Sequence, residues 1–112
     1  MQAPSSAVLA RIYTDEDALY GDEALTTVIL NRAREAKLAG ATVLRATSGF
    51  GHSSRLHKHR PLGLGDNLPV VIEIVDDDGP LRAFVETLVE FQNIGLITFE
   101  KVEVVRYGSV TA

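Results

Sequence analysis

Two strand–helix–strand units stand on either side of a stretch that fits neither, and this order limits the chain more than any single motif in it. The clearest strand is Pro69-Val70-Val71-Ile72-Glu73-Ile74-Val75, a β-branched run bounded by turn residues. Ala7 to Thr14 reads as another, with Val8, Ala10 and Ile12 on one face and Leu9, Arg11 and Tyr13 on the other. Asp15-Glu16-Asp17 ends it. A helix is expected from Asp22 to about Lys37, with acids at its positive end, Arg32, Arg34 and Lys37 in its C-terminal half, and Gly40 as terminator. Leu25, Val28, Ile29, Ala33 and Ala36 make its apolar stripe. Thr42 to Ser48 is the second strand.

After the third strand, Asp78 or Gly79 is expected as N-cap and Pro80 near the first helical position. Leu81, Phe84, Val85, Leu88 and Val89 mark one face of that helix, Asn93 and Gly95 end it, and Glu100 to Tyr107 is the last strand. The order β-α-β, loop, β-α-β is the split βαβ plan: a ferredoxin-like α+β sandwich, two helices on one face of a four-stranded antiparallel sheet. The purely apolar sets Val8/Ala10/Ile12, Val70/Ile72/Ile74 and Val102/Val104 are assigned to the helix side. The other face then carries Leu9, Tyr13, Val43, Val71, Val75, Val105 and Tyr107 mixed with Arg11, Arg45, Glu73 and Glu103. An apolar face of that extent marks a partner surface, so an oligomer joined through it is expected.

At 112 residues the chain is one domain, and 46% apolar composition supports a packed core. The expected division is a flexible N-terminus over 1–6, the folded domain over 7–108 and a flexible tail over 109–112. Without cysteine there is no disulfide, thiolate metal site or cysteine nucleophile. The first residues lack the pattern of a secretory signal and no apolar run could span a bilayer, so a cytoplasmic location is expected. A net charge of −4 argues against nucleic acid as a partner.

Against that acidic background, Gly49-Phe50-Gly51-His52-Ser53-Ser54-Arg55-Leu56-His57-Lys58-His59-Arg60 is concentrated basic sequence with no acid in it, and it holds all three histidines. Gly49, Phe50 and Gly51 would let backbone amides close on an anion. His52, Ser53, His57 and Lys58 complete the candidate ligand site with Arg55 and Arg60, whose guanidinium forks suit phosphate. His52, His57 and His59 are also candidates for zinc, copper or nickel, and a solvated basic loop is the third reading. No P-loop, dinucleotide fingerprint or supported catalytic triad is present, so no catalytic residue is assigned and a non-enzymatic protein is expected.

Arg32-Ala33-Arg34-Glu35-Ala36, Ala39-Gly40-Ala41-Thr42-Val43-Leu44-Arg45, Gly49-Phe50-Gly51, Leu68 to Val75 and Val102-Glu103-Val104 resemble PII-like proteins, and more closely the bacterial domain-of-unknown-function 190 family. The resemblance implies a homotrimer with sheets facing inward, nucleotide sites between subunits, and a mobile loop over 49–68 that touches partners, often a membrane transport protein. It implies an adenine nucleotide or a smaller anionic metabolite as ligand; the alternative is a metal-responsive trimer like the copper-tolerance relatives. PII proteins hold phosphates with a Gly- and Lys/Arg-rich segment before the fourth strand. Gln92 to Thr98 stands in that place with one glycine and no basic residue.

Overall fold

The structure, a computed structural model, describes residues 6–50, 57–58 (backbone only) and 67–108. Four long strands, β1 (Ala7–Asp15), β2 (Ala41–Arg45), β3 (Pro69–Asp77) and β4 (Leu96–Lys101), form one sheet in the order β2-β3-β1-β4. All its pairings are antiparallel. Helices α1 (Leu25–Glu35) and α2 (Asp78–Glu86) supply the apolar side chains that cover one face. This is the split βαβ sandwich that the element order implies.

The alternation in β1 and β3 is complete. Val8, Ala10, Ile12 and Thr14 are buried, as are Val70, Ile72, Ile74 and Asp76, and register sets Ile12 opposite Ile72 and Ala10 opposite Ile74. Leu25, Val28, Ile29 and Ala33 of α1 and Leu81 and Phe84 of α2 close over them. Burying each such aliphatic side chain contributes about 1.5–3 kcal/mol, which makes this layer the main stabilising contact of the fold.

Several boundaries differ from the sequence reading. Asp22 and Glu23 do not open α1. Leu19–Tyr20 and Glu23–Ala24 pair as a small hairpin whose two-residue loop begins with Gly21 at φ +62°, the position where such loops require glycine. Helix α1 therefore starts at Leu25 with no acid in its first turn. It ends at Glu35, close to the expected Lys37, but the residue that terminates it is Lys37 itself, not Gly40. Lys37 takes φ +61°, its N–H donates to the Arg34 carbonyl, and the Leu38 N–H donates back to Ala33. This is a Schellman ending, and it turns Leu38 onto the core while leaving Ala36 exposed. In α2 the N-cap is Asp77, which places Pro80 third in the helix. The chain then tightens into a 3₁₀ turn over Thr87–Glu90. Three residues per turn align Val85, Leu88 and Phe91 inward and rotate Val89 out to 86% exposure, so Val89 leaves the expected face.

Strand β4 is also shifted. Ile97 and Phe99, opposite Ile12 and Ala10, take the core positions expected of Val102 and Val104. The reason is the length of β1. Lys101 faces Val8, the Val102 N–H reaches the Ala7 carbonyl, and beyond that β1 offers no further partner. Residues Val102 to Tyr107, with Glu103 and Val105 among them, are thus a tail and not a strand. β2 is flipped relative to its expected faces. Ala41 faces Ile74, Val43 faces Ile72 and Arg45 faces Val70, so Val43 packs on the helix side and Arg45 shares its parity, while Thr42 and Leu44 point to the open face. A one-residue slip exchanges the faces of a whole strand. Here the register is pinned by buried Asp76, whose carboxylate accepts the Ala39 N–H at 2.7 Å just before β2.

Left-handed backbone at a non-glycine residue costs about 1–2 kcal/mol, and glycine recovers most of it at a helix end. Lys37→Gly is therefore expected to raise stability by about 1 kcal/mol. Urea denaturation with an unchanged slope checks this, and a destabilised variant would contradict it.

Candidate functional site

The strand ends at Tyr13–Asp15, Pro69 and Leu96 converge with the foot of the long β2–β3 connection. Pairing sets Asp15 opposite Pro69 and Tyr13 opposite Leu96. Past β2, the Ala46 N–H donates to the Pro69 carbonyl, and Ser48–Gly49 then pairs with His57–Lys58 as a short ladder at the root of the connection. Gly49 sits at φ +153°, where an added Cβ would lie 3.3 Å from the Pro69 ring. A side chain there would press on the strand that returns from the connection.

Phe50 follows directly and is 66% exposed. With Tyr13, Thr14, Asp15, Pro69, Gly95 and Leu96 it lines a cleft of about 450 Å³. The rear wall is held by hydrogen bonds between β1 and the α2–β4 connection. Buried Thr14 donates its hydroxyl to the Asn93 carbonyl at 2.6 Å, and the Gly95 N–H donates to the Tyr13 carbonyl at 2.9 Å. The Asn93 amide donates to the Leu19 carbonyl at 3.2 Å and ties in the hairpin. Next to this wall, Arg32 lies over the Tyr20 and Phe91 rings and contacts Glu90 at 3.3 Å. The Tyr20 hydroxyl donates to the same carboxylate at 2.8 Å. That hydrogen bond, and then Arg32, hold Glu90 below its ordinary carboxylate value.

Of the residues singled out from sequence, Gly49 and Phe50 stand at the cleft root, and the backbones of His57 and Lys58 pair across from Gly49 and Ser48. Gly51, His52, Ser53, Arg55, His59 and Arg60 lie outside the described residues. Among the described residues, no group of three or more His, Asp or Glu side chains is gathered to hold a metal. Tyr13, Asp15, Pro69 and Leu96 were not recognised as site residues from sequence. The available signal was indirect, since each lies at or near a strand end on the side where the long connection enters.

A second cleft, of about 520 Å³, lies at the other end of the open face. The tail after β4 encloses it, with Val104 and Arg106 across from Leu9, Thr42, Glu73 and Val75. The Tyr107 hydroxyl donates to the Ala39 carbonyl at 2.9 Å and so anchors the tail at the far side of the sheet. Between the two clefts Arg11 bridges Glu73 at 3.2 Å and Glu100 at 2.7 Å. The bond to Glu100, then that to Glu73, keep its guanidinium more firmly protonated than usual.

A family model described as uncharacterised ACR, DUF190, matches residues 7–104. The chain belongs to the DUF190 family. Two UPF0166 proteins of Aquifex aeolicus (strain VF5) are similar to it. One is 41% identical over 97 residues, covering 87% of this chain and 91% of that relative; the other is 37% identical over 98 residues, covering 87% and 95%. Among solved structures, CPII from Thiomonas intermedia K12 bound to ADP and bicarbonate superposes with a TM-score of 0.66 at 16% identity, over 89% of both chains. The same protein, described as a nitrogen regulatory PII-like protein and bound to ADP, AMP and bicarbonate, gives a TM-score of 0.62, also at 16% identity and 89% coverage of both chains. At that identity the likeness establishes a PII-like fold. No helix among the described residues is long and apolar enough to cross a membrane.

Because Glu90 is depressed in the folded chain, its contribution to stability is complete above its ordinary value of 4.5 and disappears as the pH falls through the lower folded value. Glu90→Gln should therefore melt below the unaltered chain at about pH 7, and the difference should shrink as the pH is lowered below 4.5. Equal melting temperatures at the higher pH would show that the Tyr20–Glu90–Arg32 cluster contributes nothing.

Proposed function

We propose that this chain is a PII-like regulatory subunit that binds an anionic metabolite, an adenine nucleotide foremost, at the Phe50 cleft. The carrying observation is the exposed Phe50 ring at the head of the long connection, set against an apolar wall of Pro69 and Leu96. A large aromatic left open beside a cleft suits a flat heterocycle, and a few polar groups around an apolar pocket are the usual make-up of a small-molecule site. CPII, which shares the fold, is bound to ADP and AMP together with bicarbonate. The basic residues Arg55, Lys58 and Arg60 of the connection are proposed to meet the phosphates.

The working assembly is a homotrimer closed through the open sheet face. Leu44 and Leu96 on that face are 48% and 54% exposed, and Leu9, Tyr13, Val71 and Val75 lie between them in register. Such a surface calls for cover. Ligand at the foot of the 49–68 connection would favour one of its arrangements over another, and a partner, a membrane transport protein in PII-type systems, would read the difference. The ligand must bind the two arrangements unequally, or it switches nothing.

The test is a thermal-shift and calorimetric series with ATP, ADP, AMP, cyclic nucleotides, bicarbonate and divalent metals, accompanied by light scattering. A ligand at a hundredfold its Kd adds about 2.7 kcal/mol, a rise of several degrees for a domain of this size. The expected result is a nucleotide-dependent rise, lost on combined Arg55→Ala and Arg60→Ala replacement, and a mass three times the 12.1 kDa chain. A response to metals alone would replace the nucleotide reading with the histidine one. A monomer at micromolar concentration would remove the trimer.

A further inference from the structure

The Phe50 cleft contains a charge of the wrong sign for phosphate. Of the three consecutive acids after β1's core, Glu16 is taken up by an ion pair to Arg45 and Asp17 is exposed. Asp15 alone lines the cleft, half-buried. Its backbone carbonyl accepts the Ala18 N–H, but its carboxylate has no hydrogen-bond or ion-pair partner among the described residues. Among the described residues no Lys, Arg or His lines this cleft; the other described groups are Tyr13, Thr14, Phe50, Pro69, Gly95 and Leu96. The Thr14 hydroxyl is already committed to the Asn93 carbonyl. What remains free inside, among the described residues, is the rings of Phe50 and Tyr13 with the Tyr13 hydroxyl, the apolar side chains of Pro69 and Leu96, and the Asp15 carboxylate.

Such a set repels a phosphate and attracts a donor. A carboxylate accepts hydrogen bonds only, and it accepts them most strongly when partly withdrawn from water. We infer that the Phe50 cleft takes the uncharged ring of its ligand, a heterocycle with a hydrogen-bond-donating amine, with the ring against Phe50 and Leu96 and the amine on the Asp15 carboxylate. The phosphates then lie outside the cleft. This rests on the nucleotide reading above and adds to it which end of the ligand enters. It also assigns Asp15 as the residue that distinguishes an amino-substituted ring from an oxo-substituted one. An oxo group in the same place would set an acceptor against an acceptor, and buried polar groups left unpaired are what give such sites their selectivity.

The sign of one substitution decides between the two orientations. Asp15→Asn keeps the shape, removes the charge and leaves every backbone hydrogen bond of this segment in place. Calorimetry with AMP and inosine 5′-monophosphate on the full chain is the measurement. The unaltered chain is expected to prefer AMP by about tenfold or more, and Asp15→Asn to weaken AMP by about tenfold and narrow the preference. Phe50→Ala should weaken both ligands alike. If phosphate occupied the cleft, removing the Asp15 charge would tighten AMP, and that outcome, or an unchanged affinity, would overturn the assignment while leaving the nucleotide reading intact. An unaltered chain that binds neither AMP nor ADP would overturn the nucleotide reading itself, and this inference with it.

Discussion

The fold depends on β1 being paired along both edges. β3 follows it over nine residues, Ala7 to Asp15, and β4 over six, Val8 to Tyr13. The core residues of β3 and β4 are placed by this double ladder, and those of β2 through β3. Ile12 sits between Ile72 and Ile97, and Ala10 between Ile74 and Phe99. The two ends of β1 then determine what the sheet can do. At Ala7 the strand runs out, β4 loses its partner, and the chain leaves as the tail that bends over the open face. At Asp15 the strand ends beside Pro69 and Leu96, where the long connection begins and the Phe50 cleft opens.

The alternating faces of β1 and β3, both helices and the element order were legible in the sequence because each is a local pattern. β-branched alternation in Val70 to Val75 and the 3–4 spacing in Leu25, Val28 and Ile29 need no tertiary information. The misplacements all come from pairing or from local turn geometry. Val102 and Val104 look like a strand, but whether they form one depends on whether Ser6 continues β1, and its N–H is held by the Asp77 carboxylate and its carbonyl by the Asp78 N–H. The faces of β2 depend on a hydrogen bond between Ala39 and Asp76, 37 residues apart. Lys37 in the left-handed region was hidden because a glycine three residues later gave the stronger signal. At the site, Gly49 and Phe50 were legible as Gly–aromatic–Gly before a basic stretch. Asp15 was not, because an acid after a strand is ordinary turn chemistry until register sets it across from Pro69.

The open face combines two kinds of chemistry that pull in different directions. Its apolar members favour cover by another surface, whereas Arg11, Glu73 and Glu100 must stay hydrated or paired. The geometry resolves the conflict within one chain. Arg11 is directly opposite Glu73, and Glu100 reaches it diagonally, so the guanidinium finds both carboxylates without leaving the sheet. A charge already paired on its own subunit costs less to cover than a free one. The face could therefore be buried without requiring matching charges from a neighbour, and the surrounding Leu9, Leu44, Val71 and Leu96 would be left to drive the proposed association.

Burial of that face would bear directly on the Phe50 cleft, because Tyr13 and Leu96 belong to both. Side chains at the end of the open face that touched a neighbouring subunit would hold one wall, while Phe50 and Pro69 hold the other from the root of the connection. Gly49 stands at the join, paired to His57 on one side and pressed close to Pro69 on the other. A ligand in the cleft would contact both walls at once, so its binding energy would depend on how the root of the connection is set against the sheet. Such a dependence is what the proposed regulatory loop would require, and it would arise from short-range contacts among strand ends, with no need for a path through the core.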